Sequence, residues 1–177
     1  ETMLNRSDLN YLQFEAAVAA WNFLNGKSDA GIRNPELLLA RVQDVKSSPK
    51  LRAYALRLLP TQSLNAPQDG ASPTQEFPPG LTLELLQELL KINDETLSQE
   101  VVRTLAGNPP AAAEILASIS ADPQQDVALR AEAVAGLAAV AEQHTELLLK
   151  LADDNNHAVR EEALRCLRSG NLPPEAI

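Results

Sequence analysis

Only six of the 177 residues are aromatic, so a core must be built from Leu, Ala and Val, side chains that suit closely stacked helices. A single cysteine, Cys166, excludes an intrachain disulfide and leaves the compartment open, and with no C-x-x-C-H the chain cannot attach haem covalently. The two histidines, His144 and His157, lie 13 residues apart with no cysteine pair nearby. A zinc site needs about four well-placed ligands, so both read as helix-end residues and no metal or cofactor is expected. Neither G-x-x-x-x-G-K nor G-x-G-x-x-G occurs, and no phosphate cradle follows. No apolar run approaches the roughly 18 residues of a membrane span, and no signal peptide is visible. Basic residues are scarce after position 60: residues 1–60 hold 8 Lys/Arg against 6 Asp/Glu, and residues 61–177 hold 7 against 18. A surface this acidic repels phosphate backbones, which disfavours nucleic acid as a partner.

What the chain has is helical periodicity almost throughout, with no stretch alternating as a half-buried strand would. It also has a recurring phrase. Residues 129–137 read LRAEAVAGL, 159–167 VREEALRCL, 97–105 LSQEVVRTL and 51–59 LRAYALRLL; residues 12–20, LQFEAAVAA, are a weaker copy. The spacing of about 30 residues marks a stacked helical array.

Start signals place the helices. The first is expected from about Asp8 to Phe23. Asn34-Pro35 opens the second and Ser48-Pro49 the third, since Asn or Ser caps free N–H groups and Pro fits the first turn. Residues 61–80, with Pro67, Pro73, Pro78 and Pro79, read as a long loop inserted in the array. Helices then follow over Leu81–Ile92, from Asp94 to Ala106, from Asn108-Pro109-Pro110 to Ser120, from Asp126 through Val140, over 145–152, and from Asn156 to Arg168. Asn171-Leu172-Pro173-Pro174-Glu175 repeats the signal of 108–110 just before the chain stops at Ile177, and the chain starts at Glu1 rather than Met. The expectation is one domain over 1–177, a fragment of something longer.

The phrase explains itself as packing. Leu51, Leu97, Leu129 and Val159 fall in one layer and Leu59, Leu105, Leu137 and Leu167 in another, with Ala55, Val101, Ala133 and Ala163 between them, where small side chains allow close approach. Arg52, Arg130 and Arg160 recur just after the first layer. They read as an internal ladder holding caps or carboxylates of neighbouring pairs, or as a row of ligand-binding cations. The pattern D-x-x-[LV]-R-x-E-A-[LV]-x-x-L resembles the HEAT repeat, in the short bacterial form also found in phycobilisome-lyase-like proteins. Residues 126–137 fit it throughout; 156–167 fit with Asn for Asp; 48–59 carry Tyr54 in place of Glu, and 94–105 carry Ser98 in place of Arg. The resemblance implies an all-α, right-handed α-solenoid of about four to five helix pairs, with second helices lining a concave face.

Function is expected to lie in binding rather than chemistry: a non-catalytic protein–protein interaction scaffold, a module of a larger multidomain bacterial protein. A HEAT-like enzyme or cofactor chaperone of the bilin-lyase kind is the alternative. Cys166 aligns with Gly136 and reads as a packed thiol, or else as a nucleophile without a spaced His. Candidate partner-binding residues are Glu84, Glu88, Glu114, Glu146 and Lys150 on second helices, where an acidic groove would draw a partner with a basic segment. Trp21 is a further candidate, in an early aromatic group with Tyr11, Phe14 and Phe23 that either packs the first repeat or docks a neighbour.

Overall fold

A computed structural model describes residues 4, 6, 8–24, 35–59 and 77–170. Among them all regular structure is helical: α1 (Tyr11–Leu24), α2 (Pro35–Gln43), α3 (Pro49–Leu58), α4 (Leu83–Leu90), α5 (Glu95–Ala106), α6 (Pro109–Ala121), α7 (Val127–Gly136), α8 (Thr145–Leu151) and α9 (His157–Ser169), with a 3-10 helix (Ala138–His144) between α7 and α8. The Asn34 cap, most of the 61–80 insertion and the 171–175 start signal lie outside the described residues.

The expected caps form where the side chain reaches an orphan N–H. The Ser48 hydroxyl accepts from Leu51 N, Asp94 from Leu97 N, Asp126 from Ala128 N and Leu129 N, and Asn156 from Ala158 N. Asn108 differs. Pro110 at the second helical position has no N–H to offer, the Asn108 Oδ1 makes no cap bond, and its Nδ2 donates backward to Thr104 O at 3.3 Å. The helix expected to run through Val140 stops at Gly136; the backbone tightens into the 3-10 helix, and Val140 itself is non-helical (φ −125°, ψ 21°).

The chain forms two compact units, Glu1–Val101 and Val102–Ile177. In the first, α2 and α1 both pack against α3. Phe14 is fully buried, and Tyr11 and Phe14 meet Tyr54 edge-on at ring separations of 5.5 and 6.3 Å. Tyr54, the odd residue at the Glu position of the phrase, thus receives two of the aromatics of α1, Tyr11 and Phe14. In the second unit, α7 packs between α6 and α9, and α8 lies on α9. Both layers are buried as the phrase requires, except that Leu167 is only half-buried.

Candidate functional site

Five of the candidate binding residues have exposed side chains on helices outside the recurring phrase: Glu84 and Glu88 on α4 in the first unit, Glu114 on α6 and Glu146 and Lys150 on α8 in the second. Helices α6 and α8 touch, so Glu114 and the α8 pair are on neighbouring elements. Thr82 caps α4 by accepting from Leu85 N, and Glu84 follows in its first turn. Its own N–H, then the Thr82 hydroxyl, hold the Glu84 carboxyl below the usual carboxylate range, so it is ionised and drawn toward the positive helix end. Trp21 is half-buried near the end of α1.

The recurring arginines are structural. Arg52 is buried and its Nε donates to Val42 O at 2.7 Å, ten residues back; Arg130 is buried and donates in the same way to Ser120 O, also ten residues back, at 3.0 Å. Each closes the end of the helix before it, satisfying a carbonyl that the helix leaves orphaned. Arg130 also forks onto Asp154, with Nη2–Oδ2 at 2.5 Å, while Arg160 donates to Asp154 O and Asn155 O. The Arg130 guanidinium, followed by Asn156 N–H, holds the Asp154 carboxyl below its ordinary range. These contacts fill the Arg130 fork, and the arginines form no ligand row.

A second ladder links the phrase helices. Position seven of one copy pairs with position four of the next. Arg57 on α3 reaches Glu100 on α5 through Nε at 2.9 Å and through Nη2, and Arg103 on α5 faces Glu132 on α7 at 3.9 Å. At the next step Ala135 replaces the arginine. Glu162 on α9 then pairs within its own helix, with Arg165 at 3.1 Å. The residues of this ladder stood in the phrase, but reading them as pairs requires the register between helices.

Cys166 is buried at position eight and its thiol donates to Val134 O of α7 at 3.2 Å. Burial, reinforced by Glu162, pushes the thiol up to about 11. The group is thus a protonated packing element at neutral pH. A depression of about 390 Å³, which no sequence signal marks, lies between the 3-10 helix and the end of α9, lined by Val140, Glu142, Gln143 and Ser169 among others. The Ser169 hydroxyl donates to Cys166 O, and Glu142 is the one carboxylate of the lining among the described residues. His157 stands 3.4 Å from Glu161 on the exposed start of α9. Among the described residues no three His, Cys, Asp or Glu side chains gather at metal-binding range, and no helix is long and apolar enough to cross a membrane.

No family model, curated protein or solved structure matches the chain.

Proposed function

We propose that the chain is a non-catalytic interaction scaffold: a right-handed solenoid of about four to five HEAT-like helix pairs whose second helices present an acidic groove to a protein with a basic segment. The observation that carries this reading is the repetition of whole contacts along with the letters of the phrase. Arg52 to Val42 O and Arg130 to Ser120 O are the same bond at the same spacing in two copies. A polar group whose bond recurs copy by copy belongs to the architecture of a repeat, and repeat arrays expose long surfaces that touch a partner at several units. The residues left over for a partner are the exposed polar rows Glu84, Glu88, Glu114, Glu146 and Lys150. The net charge of −9, concentrated after residue 60, supplies attraction to a basic segment.

The test is a titration of the chain with a synthetic Lys/Arg-rich peptide followed by fluorescence anisotropy. Binding should weaken as salt rises. Glu84→Lys with Glu88→Lys should weaken it several-fold, and Glu95→Lys on a first helix should change it little. The opposite ranking, or binding insensitive to salt, would overturn the groove.

A further inference from the structure

We infer that Arg52 is a docking point for an Asp or Glu side chain of a partner protein, and that it takes the carboxylate with the fork by which Arg130 holds Asp154. The two arginines occupy the same place in the phrase and make the same Nε bond, to Val42 O and to Ser120 O. They differ at the other end of the guanidinium. Arg130 closes on Asp154, with Nη1 at 3.4 Å from Oδ1 and Nη2 at 2.5 Å from Oδ2. Arg52 is buried to the same degree, 7% exposed against 6%. Yet among the described residues its Nη1 and Nη2 meet no acceptor, and both keep contact with solvent. The sequence explains the difference. Asp154 stands two residues before Asn156, the cap of the following phrase; after α3 that place, two residues before Asp94, belongs to Ile92. Asp44 acts on Arg52 from nearby, but its oxygens are turned to Lys46 N at 3.0 Å and to the Ser47 hydroxyl at 2.9 Å. Burial outweighs it and pulls Arg52 below its ordinary range. A buried cation without a bonded anion is costly, and a carboxylate brought by a partner offsets that cost.

A planar guanidinium fork matches a carboxylate or a phosphate. Two observations favour the carboxylate. Arg130 holds one in the same setting. Asp44 adds a negative charge near Arg52, which opposes a doubly charged phosphate more than a singly charged carboxylate. The turn after Val42 supplies the rest of a contact: Lys46 is exposed, and Val45 holds an apolar side chain 82% exposed to solvent. A partner loop with an acidic residue beside an apolar one fits this surface. Residues 1–60 carry a net +2 and residues 61–177 a net −11. An acidic loop is therefore drawn to the first part of the chain and the basic segment proposed above to the rest, so the two surfaces do not compete for one partner chemistry.

Proton–nitrogen correlation NMR of the 177-residue chain, which resolves arginine Nε–H groups, tests this with the blocked tripeptide acetyl-Ala-Asp-Ala-amide. Titrated into the millimolar range, it should shift Arg52 Nε–H along a saturable curve, with the amide of Lys46 following. The acetyl-Ala-Asn-Ala-amide control should shift neither. Arg130, already closed on Asp154, should stay silent. Arg52→Lys keeps the charge and a donor for Val42 O but loses the fork, and should weaken binding about tenfold as read at Lys46. Equal shifts with the Asp and Asn tripeptides, an Arg130 response as large as that of Arg52, or tighter binding of inorganic phosphate would each overturn the proposal. So would an Arg52→Lys chain that binds as the parent does. The first three readings need only the parent chain, so the test stands whether or not the variant folds. None of these results bears on the acidic groove, which a Lys/Arg-rich peptide reads.

Discussion

Gly136 shows how tightly single residues are specified. It stands at position eight of α7, where an added Cβ would come within 2.8 Å of Ala106 Cβ and 3.0 Å of Leu116 Cδ1. Overpacking of that kind costs about 1–3 kcal/mol, against about 1 kcal/mol gained by replacing a helical glycine. Gly136→Ala should therefore lower the urea midpoint, and Gly136→Val should lower it further. Cys166 holds the equivalent place in α9. With its thiol pushed up to about 11, it should carry on the order of a hundredfold less thiolate at pH 8 than an ordinary thiol, so iodoacetamide should label the native chain far more slowly than the unfolded one. Asp154 sets part of the acid limb of stability. Its folded value is depressed by Arg130 and Asn156, so its contribution is complete above the unfolded carboxyl value of about 3.9 and is lost as pH falls through the lower folded one. Asp154→Asn should cost about 1.5–3 kcal/mol at neutral pH, a loss that narrows in acid-denaturation curves as pH drops below that range.

At the scale of elements, the sequence was most legible where one residue does one local job. Ser48, Asp94, Asp126 and Asn156 cap their helices because a short acceptor next to free N–H groups has one cheap conformation. Leu97, Leu105, Leu129 and Leu137 are buried because periodicity alone fixes which face is inside. Legibility failed where a neighbour decides. Asn108 looks like a cap, yet Pro110 removes one of the two N–H groups a cap serves and the side chain bonds back to Thr104 O instead. Nothing local in Ala138-Ala139-Val140 announces a 3-10 turn; the helix gives way after Gly136, with Leu137 N bonding Val134 O. The candidate carboxylates were legible as exposed, but the Arg–Glu ladder between copies was not, since the partners are 29 to 43 residues apart. The ladder makes a constructive prediction. Ala135 is exposed at the missing rung and Glu162 lies on the facing helix, so Ala135→Arg should stabilise the second unit by about 0.5–1 kcal/mol, readable as a small rise in Tm that salt erases.

For the whole molecule, the gap at Ala135 makes the contacts between phrase helices unequal in kind. Helix α5 meets α7 through the Arg103–Glu132 pair and the approach of Ala106 to Gly136, whereas α9 packs along α7 and sets its Cys166 thiol on Val134 O without a position-seven arginine. Ions in solution act on the first contact and hardly on the second. Ionic strength is thus a dial that selects where the second unit opens. In dilute buffer, amides of α9 should exchange with deuterium earlier than those of α7. Added sodium chloride should shorten protection at the α5–α7 seam while leaving α9 unchanged, so the two rates converge. One missing guanidinium thus leaves the second unit with a salt-sensitive seam at α5–α7 beside a salt-insensitive one at α7–α9, and salt alone shifts which of the two gives way.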